Sequence, residues 1–139
     1  MPMRKNRERF GKFIRDKRVN DPRELRQADV AEILGISSSL YGLIENNARP
    51  PFDLEKMGIF AELFDLTPEE KALMYDLAAR ETNEIPADLE DIIMYSEIGD
   101  TIRTLCRQLQ NGNFEEERWK ELIRKAEKEK KRREGGEDE

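Results

Sequence analysis

Gln27-Ala28-Asp29-Val30-Ala31-Glu32-Ile33-Leu34-Gly35-Ile36-Ser37 runs through Ser38-Ser39-Leu40-Tyr41-Gly42-Leu43 into Ile44-Glu45-Asn46-Asn47-Ala48-Arg49-Pro50. Ala28, Val30, Ala31 and Leu34 recur at helical spacing and predict a short helix over Gln27 to Leu34 with those four side chains inward. Gly35 follows where a helix end needs a left-handed residue. Ser37 is a good N-cap for a second helix reaching about Asn46, because its hydroxyl accepts from an otherwise unpaired amide. Asn47 tolerates the left-handed region, and Pro50-Pro51 closes the segment. Two short helices joined by a three- or four-residue turn containing glycine are the pattern of a helix-turn-helix.

Outward from this segment the chain reads as helix punctuated by short turns, with no strand-like alternation. Phe10, Phe13, Ile14 and Lys17 share one face of a first helix from about Arg7 to Arg18, stopped by Asn20-Asp21-Pro22. A fourth helix begins near Asp53 with Leu54, Met57, Phe60, Ala61 and Phe64 inward. Thr67-Pro68-Glu69-Glu70 announces a fifth through a capping box and a proline at the first helical position. Ile85-Pro86 breaks the chain, and Leu89, Ile92 and Ile93 suggest a short helix. Ser96 is expected to cap the next helix, which carries Ile98, Ile102, Leu105 and Leu109. Asn113 with Glu116 is expected to cap the last, which carries Trp119, Leu122 and Ile123.

The combination of Gln27-Ala28, Gly35, Ile44-Glu45-Asn46 and Arg49-Pro50, preceded by Phe10-Gly11-Lys12-Phe13-Ile14-Arg15, resembles the Xre/Cro-like (phage lambda repressor-like) helix-turn-helix regulators over roughly residues 7 to 80. The resemblance implies an all-α fold, a five-helix lambda-repressor-like DNA-binding domain at 1–80. A helical extension at 81–133 is expected to serve dimerisation or partner binding, and 134–139 is expected to be a disordered acidic tail. It implies a transcriptional regulator, a repressor, that binds an operator in double-stranded DNA as a homodimer, with the helix at 37–46 in the major groove. The DNA-contact set it implies is Gln27, Ser37, Ser38, Ser39, Tyr41, Gly42, Leu43, Asn46, Asn47 and Arg49. Within that set Gln27 holds a phosphate, Ser38, Ser39 and Leu43 face base edges, and the Asn46, Asn47 and Arg49 loop approaches further phosphates. Tyr41 falls where the family usually buries an aliphatic side chain, and Glu45 resembles the family's structural glutamate.

The chain departs from the family pattern at several points, including a slightly longer turn before Gln27. Its reading face lacks the Arg, Gln or Asn side chains that make bidentate base contacts worth about 1 to 3 kcal/mol each. Arg26 stands where the family often has a Ser or Thr N-cap. Selectivity would then come from serine contacts through water, from Leu43 against thymine methyls, or from DNA shape. Gly42, which costs about 1 kcal/mol of helix propensity relative to alanine, marks a close approach.

Composition bounds the alternatives. The chain has 139 residues, a net charge of −6, no histidine and one cysteine, Cys106. Without histidine the usual general base, the Ser-His-Asp arrangement and the common Cys/His zinc sites are absent, so no catalysis, no metal and no cofactor are expected. No run approaches the roughly 18 apolar residues of a membrane span, and no apolar signal region follows the N-terminal residues, so a cytoplasmic location is expected. Residues 1–50 carry a net +4 and residues 51–139 a net −10. DNA responds to local potential over a Debye length of about 10 Å, so the acidic rear half does not veto binding. Arg4, Lys5, Arg7 and Arg9 read first as a solvated helix face and second as an arm on DNA, and Cys106 reads as a buried thiol. The basic cluster from Lys128 to Arg133 reads as a solvated helix end. Two further readings stand beside the repressor: an antitoxin-like repressor whose acidic C-terminal half neutralises a partner protein, and a protein-interaction adaptor that keeps the fold without reading DNA.

Overall fold

The structure, a computed structural model, describes residues 8–135. Among them every regular element is helical: α1 (Phe10–Val19), α2 (Gln27–Leu34), α3 (Ser38–Glu45), α4 (Leu54–Leu63), α5 (Pro68–Thr82), a one-turn π-helix (Asp91–Tyr95), α6 (Gly99–Asn111) and α7 (Glu116–Glu134). The chain forms two compact units that meet at Asp88 and Leu89. This boundary lies beyond the expected one at 80, because α5 runs on to Thr82 and the segment after it folds back on the first unit. Glu84 donates its backbone N–H to the Ala79 carbonyl at 2.9 Å, and Ile85 and Ala87 line a pocket with Phe52 and Met57.

In the first unit the apolar faces of five helices meet around fully buried Phe10, Ile14, Val30, Tyr41, Phe60 and Met74. Phe52, between α3 and α4, stacks edge-on against Phe10 at 5.3 Å between ring centroids and lies 5.9 Å from Phe60, so one aromatic row joins α1 to α4. Burial of each large side chain is worth about 1.5 to 3 kcal/mol, which makes this row a principal source of stability. Two side chains expected inside are not: Ala28 is exposed on α2, and Leu54 is 47% exposed at the start of α4. Both occupy the first turn of their helix, where the core face has not yet come round. Phe64 ends α4 half-buried, against Phe60. Lys17 lies over the Phe13 ring and pairs with Glu70, so its stem covers the core while its ammonium stays at the surface.

The helix ends follow local chemistry. Ser37 and Asp53 accept from the amides of Leu40 and Lys56, both at 3.0 Å, and Thr67 and Glu70 complete a reciprocal capping box. Gly35 closes α2 at φ 80. Four non-glycine residues also take positive φ: Glu24 (55), Asn47 (60), Asp65 (50) and Asn83 (57). Helix α1 starts at Phe10, later than the expected Arg7, because distant side chains cap it. Glu81 of α5 accepts from the Phe10 amide at 3.3 Å and from Arg9 Nε and Nη2 at 2.7 Å each, while Asn47 accepts from the Gly11 amide at 3.0 Å. Arg9 is thus tied to Glu81, and Arg4, Lys5 and Arg7 lie outside the described residues, as do residues 136–139 of the expected tail.

The second unit is an α6–α7 hairpin preceded by the π-helical turn. Ser96 does not cap α6; its hydroxyl donates to the Ile92 carbonyl at 2.6 Å, and its own carbonyl accepts from Gly99 at 3.0 Å. Asn113 does not cap α7 either. Glu115 takes that position, and its carboxylate and amide bond the Gln108 side chain at 3.0 and 3.3 Å. Cys106 is exposed, which corrects its expected burial: on α6 it falls outside the strip that turns inward through Thr101 and Leu105.

Gly11 decides how closely α1 approaches the end of α3. A Cβ there would stand 2.3 Å from the Glu45 carbonyl oxygen and 2.7 Å from that of Ile44. Neither backbone oxygen can rotate away, so Gly11→Ala is expected to destabilise the unit by roughly 1 to 3 kcal/mol. Gly58, mid-helix in α4 with open space around it, is the control. Gly58→Ala should stabilise by about 0.4 to 1 kcal/mol. Urea unfolding followed by circular dichroism measures both, and equal effects would overturn the assigned close approach.

Candidate nucleic-acid interface

Helix α3 divides lengthwise. Tyr41, Ile44 and Glu45 turn inward and are buried, while Ser38, Ser39, Leu43 and Asn46 turn outward with Gly42 half-buried between them. The outward residues are spaced at three and four, so they occupy one helix face. Four of the ten residues expected at a DNA contact have other duties, Gln27 among them through its bond to Glu45. Tyr41 is fully enclosed, so its side chain belongs to the core and is withdrawn from the contact set. The Ser37 hydroxyl oxygen caps α3, and the Asn47 side-chain oxygen caps α1. Asn46 and Arg49 are exposed beside the outward face in sequence, and Arg49 makes no ion pair among the described residues.

What fixes this helix is Glu45. Its carboxylate, wholly shielded from solvent, receives Arg18 Nε at 2.7 Å and Arg18 Nη2 at 3.0 Å from α1, and Gln27 Nε2 at 2.9 Å from α2. Arg18 also donates to the Leu25 carbonyl at 3.1 Å, which ties down the loop leading into α2. Burial pushes the Glu45 carboxyl upward, but hydrogen bonds from Arg18 and Gln27 outweigh it and hold the group below its ordinary value. The same burial, with the neighbouring Glu45 charge, raises Tyr41 well above the usual phenol range, so the hydroxyl keeps its proton. That hydroxyl is enclosed without a hydrogen bond of normal geometry. The sequence pointed to Glu45 as a brace but not to Arg18, which lies 27 residues earlier and carries no local mark of its partner.

Gln27 lies across Gly42. A Cβ at Gly42 would sit 3.0 Å from Gln27 Oε1, so the glycine leaves the room in which the amide lies flat between α2 and α3. One Nε2 proton is given to Glu45, and the half-buried amide at the start of α2 keeps a second donor. Arg26 precedes these amides in the position of an N-cap, and its backbone N–H is taken by Asp29 at 2.8 Å. The arrangement offers small hydroxyls, one apolar side chain and directed N–H groups. Among the described residues no group of three or more Cys, Asp or Glu side chains could hold a metal ion, and no helix is long and apolar enough to cross a membrane.

No protein-family model matches the chain, and no curated protein or solved structure does so.

The Glu45 pair gives a pH signature. A carboxyl whose folded-state value lies below its unfolded value of about 4.3 contributes stability that is full at neutral pH and is lost as pH falls through the folded value. Glu45→Gln leaves Arg18 facing a neutral amide, and breaking such a buried pair costs about 3 to 5 kcal/mol. The gap in unfolding free energy between wild type and variant should therefore be largest near pH 7 and narrow below about pH 4. Urea titrations across that range measure it, and a gap independent of pH would sink the assignment.

Proposed function

We propose that the chain is a transcriptional regulator, a repressor, of the Xre/Cro-like (lambda repressor-like) kind, which binds an operator in double-stranded DNA as a homodimer and works in the cytoplasm without catalysis. The observation that carries this reading is the exposed outer face of α3, Ser38, Ser39 and Leu43, on a helix whose inner face is locked by Glu45, Arg18 and Gln27. A major groove about 12 Å wide admits one helix, and a helix held rigidly by its protein loses little freedom on entering it. Gln27 sits at the start of α2 with an N–H free to reach a phosphate, where the helix N-terminus adds its own positive potential. The net charge of +4 over residues 1–50 favours the same polyanion.

The α3 face is small and uncharged, so the protein reads bases through serine hydroxyls and through Leu43 against thymine methyls, with affinity from the phosphate contacts. The same face supports a second reading. Leu43 is 40% exposed and no cation stands on the outer face of α3, which also suits an adaptor that binds a protein surface. An antitoxin-like role for the acidic C-terminal half is the third.

Selection from random duplex DNA by the full chain at two salt concentrations separates them. An enriched inverted repeat with salt-sensitive binding supports the operator reading, and an unenriched pool with no salt-sensitive retention overturns it. Within the operator reading, Gln27→Ala is expected to weaken binding to every sequence by roughly fivefold. Ser38→Ala or Leu43→Ala should instead change the ranking of sequences. Fluorescence anisotropy on the selected site and on scrambled DNA reads both effects, and uniform losses for all three variants would remove the division of roles.

A further inference from the structure

Helix α7 has one half-buried edge, with Leu122 and Lys125 on it, and an adjoining edge that is more exposed. The Lys125 ammonium donates to the buried Thr101 hydroxyl of α6 at 2.9 Å. The adjoining edge carries Glu116, Ile123 and Lys130 seven residues apart, with Trp119, Ala126 and Arg133 three residues after each. These are the spacings of a helix seam, apolar at its centre through Trp119, Ile123 and Ala126 and charged at its ends. Ile123 on it is 56% exposed and Ala126 and Lys130 are exposed, while Trp119 is half-buried with its indole nitrogen enclosed and packs at one end against Phe114, itself 56% exposed.

The charges on this seam identify what covers it. Aligned in parallel, a second copy would set Glu116 against Glu116, Lys130 against Lys130 and Arg133 against Arg133. Aligned antiparallel, the same helix meets Ile123 with Ala126, Trp119 with Lys130 and Glu116 with Arg133, and each of these contacts occurs twice about the two-fold axis. The flanking positions agree, since Lys120 of one copy then faces Glu127 of the other. Lys130 makes no ion pair among the described residues, while Lys120 reaches Glu116 and Glu117 only at 3.9 and 3.7 Å. An isologous contact must be complementary to itself, and this one is so in one orientation only.

We propose that α7 is the self-association surface of the protein, pairing antiparallel with α7 of a second copy about an axis between Ile123 and Ala126. The inference deepens the homodimer of the proposed function by naming its contact, and it is tested without DNA, so its failure leaves operator binding to be judged separately. The seam is one helix long, about 28 Å at 1.5 Å per residue, and contains few apolar side chains, so dimerisation is concentration-dependent.

The test uses full-length protein in sedimentation equilibrium. Lys120→Glu and Glu127→Lys each place like charges opposite one another twice, and each variant alone should self-associate roughly tenfold more weakly than wild type. Mixed in equal amounts, the two restore opposite charges at both positions, so the mixture should regain the wild-type dimer, containing one copy of each variant by native mass spectrometry. Both positions are exposed and helical, and unchanged circular dichroism confirms that folding is kept. A wild-type chain that is monomeric at every concentration would overturn the proposal, as would unimpaired single variants or a mixture that fails to recover.

Discussion

The Glu45 carboxylate is the point at which three helices of the first unit are held to one another. Arg18 reaches it from α1 and Gln27 from α2, and it belongs to the last residue of α3. A carboxylate shielded from water is costly unless every lone pair is used, and several kcal/mol of desolvation stand against the pairing. Three directed donors offset that cost only if α1, α2 and α3 keep one mutual arrangement. The pair therefore acts more as a specification than as a source of net stability. A core of aromatic and aliphatic side chains tolerates small slips between helices; a forked guanidinium on a carboxylate does not.

Around this point small residues set the spacing. Gly11 lets α1 come down on the carbonyls of Ile44 and Glu45, and Gly42 lets the Gln27 amide lie on α3. Asn47 then uses its side-chain oxygen to cap α1 while its backbone turns the chain out of α3. The exposed face of α3 is thus supported from behind by contacts that are polar and directional. The second unit has a different economy. Leu105 and Thr101 are its buried side chains, whereas Tyr95, Leu109, Phe114 and Ile123 are all more than half exposed. Ile123 and Phe114 are the part of this surface that the proposed pairing of α7 would cover.

The sequence was legible wherever the controlling interaction was local. Gly35, the Ser37 cap and the Thr67–Glu70 box join residues no more than four apart, and the end of α2 and the starts of α3 and α5 follow from them. It was legible too that the chain is all-helical. It was not legible that α1 is capped by Glu81 and Asn47, because neither residue has a neighbour in sequence that reveals the contact. Ser96 and Asn113 misled for the complementary reason: both have the composition of a cap, yet Glu115 holds the second position through Gln108, a bond made by the hairpin. Of the residues expected on the α3 face, Ser38, Ser39, Leu43 and Asn46 are outward. Tyr41 is not, since the spacing that gives a helix two faces cannot by itself say where the boundary between them falls.

Four connections in the first unit turn through a left-handed residue that carries a side chain, at Glu24, Asn47, Asp65 and Asn83. Asn and Asp bear that conformation tolerably, but each such residue still costs on the order of 1 kcal/mol that packing elsewhere must outweigh. Only Asn47 repays it directly, through its bond to α1. Glu24 and Asp65 are both exposed, and their side chains are not required by the turns they occupy. The unit thus carries slack: its thermal tolerance can drift up or down by changes in these loops, at glycine above all, while the outer surface of α3 is left untouched.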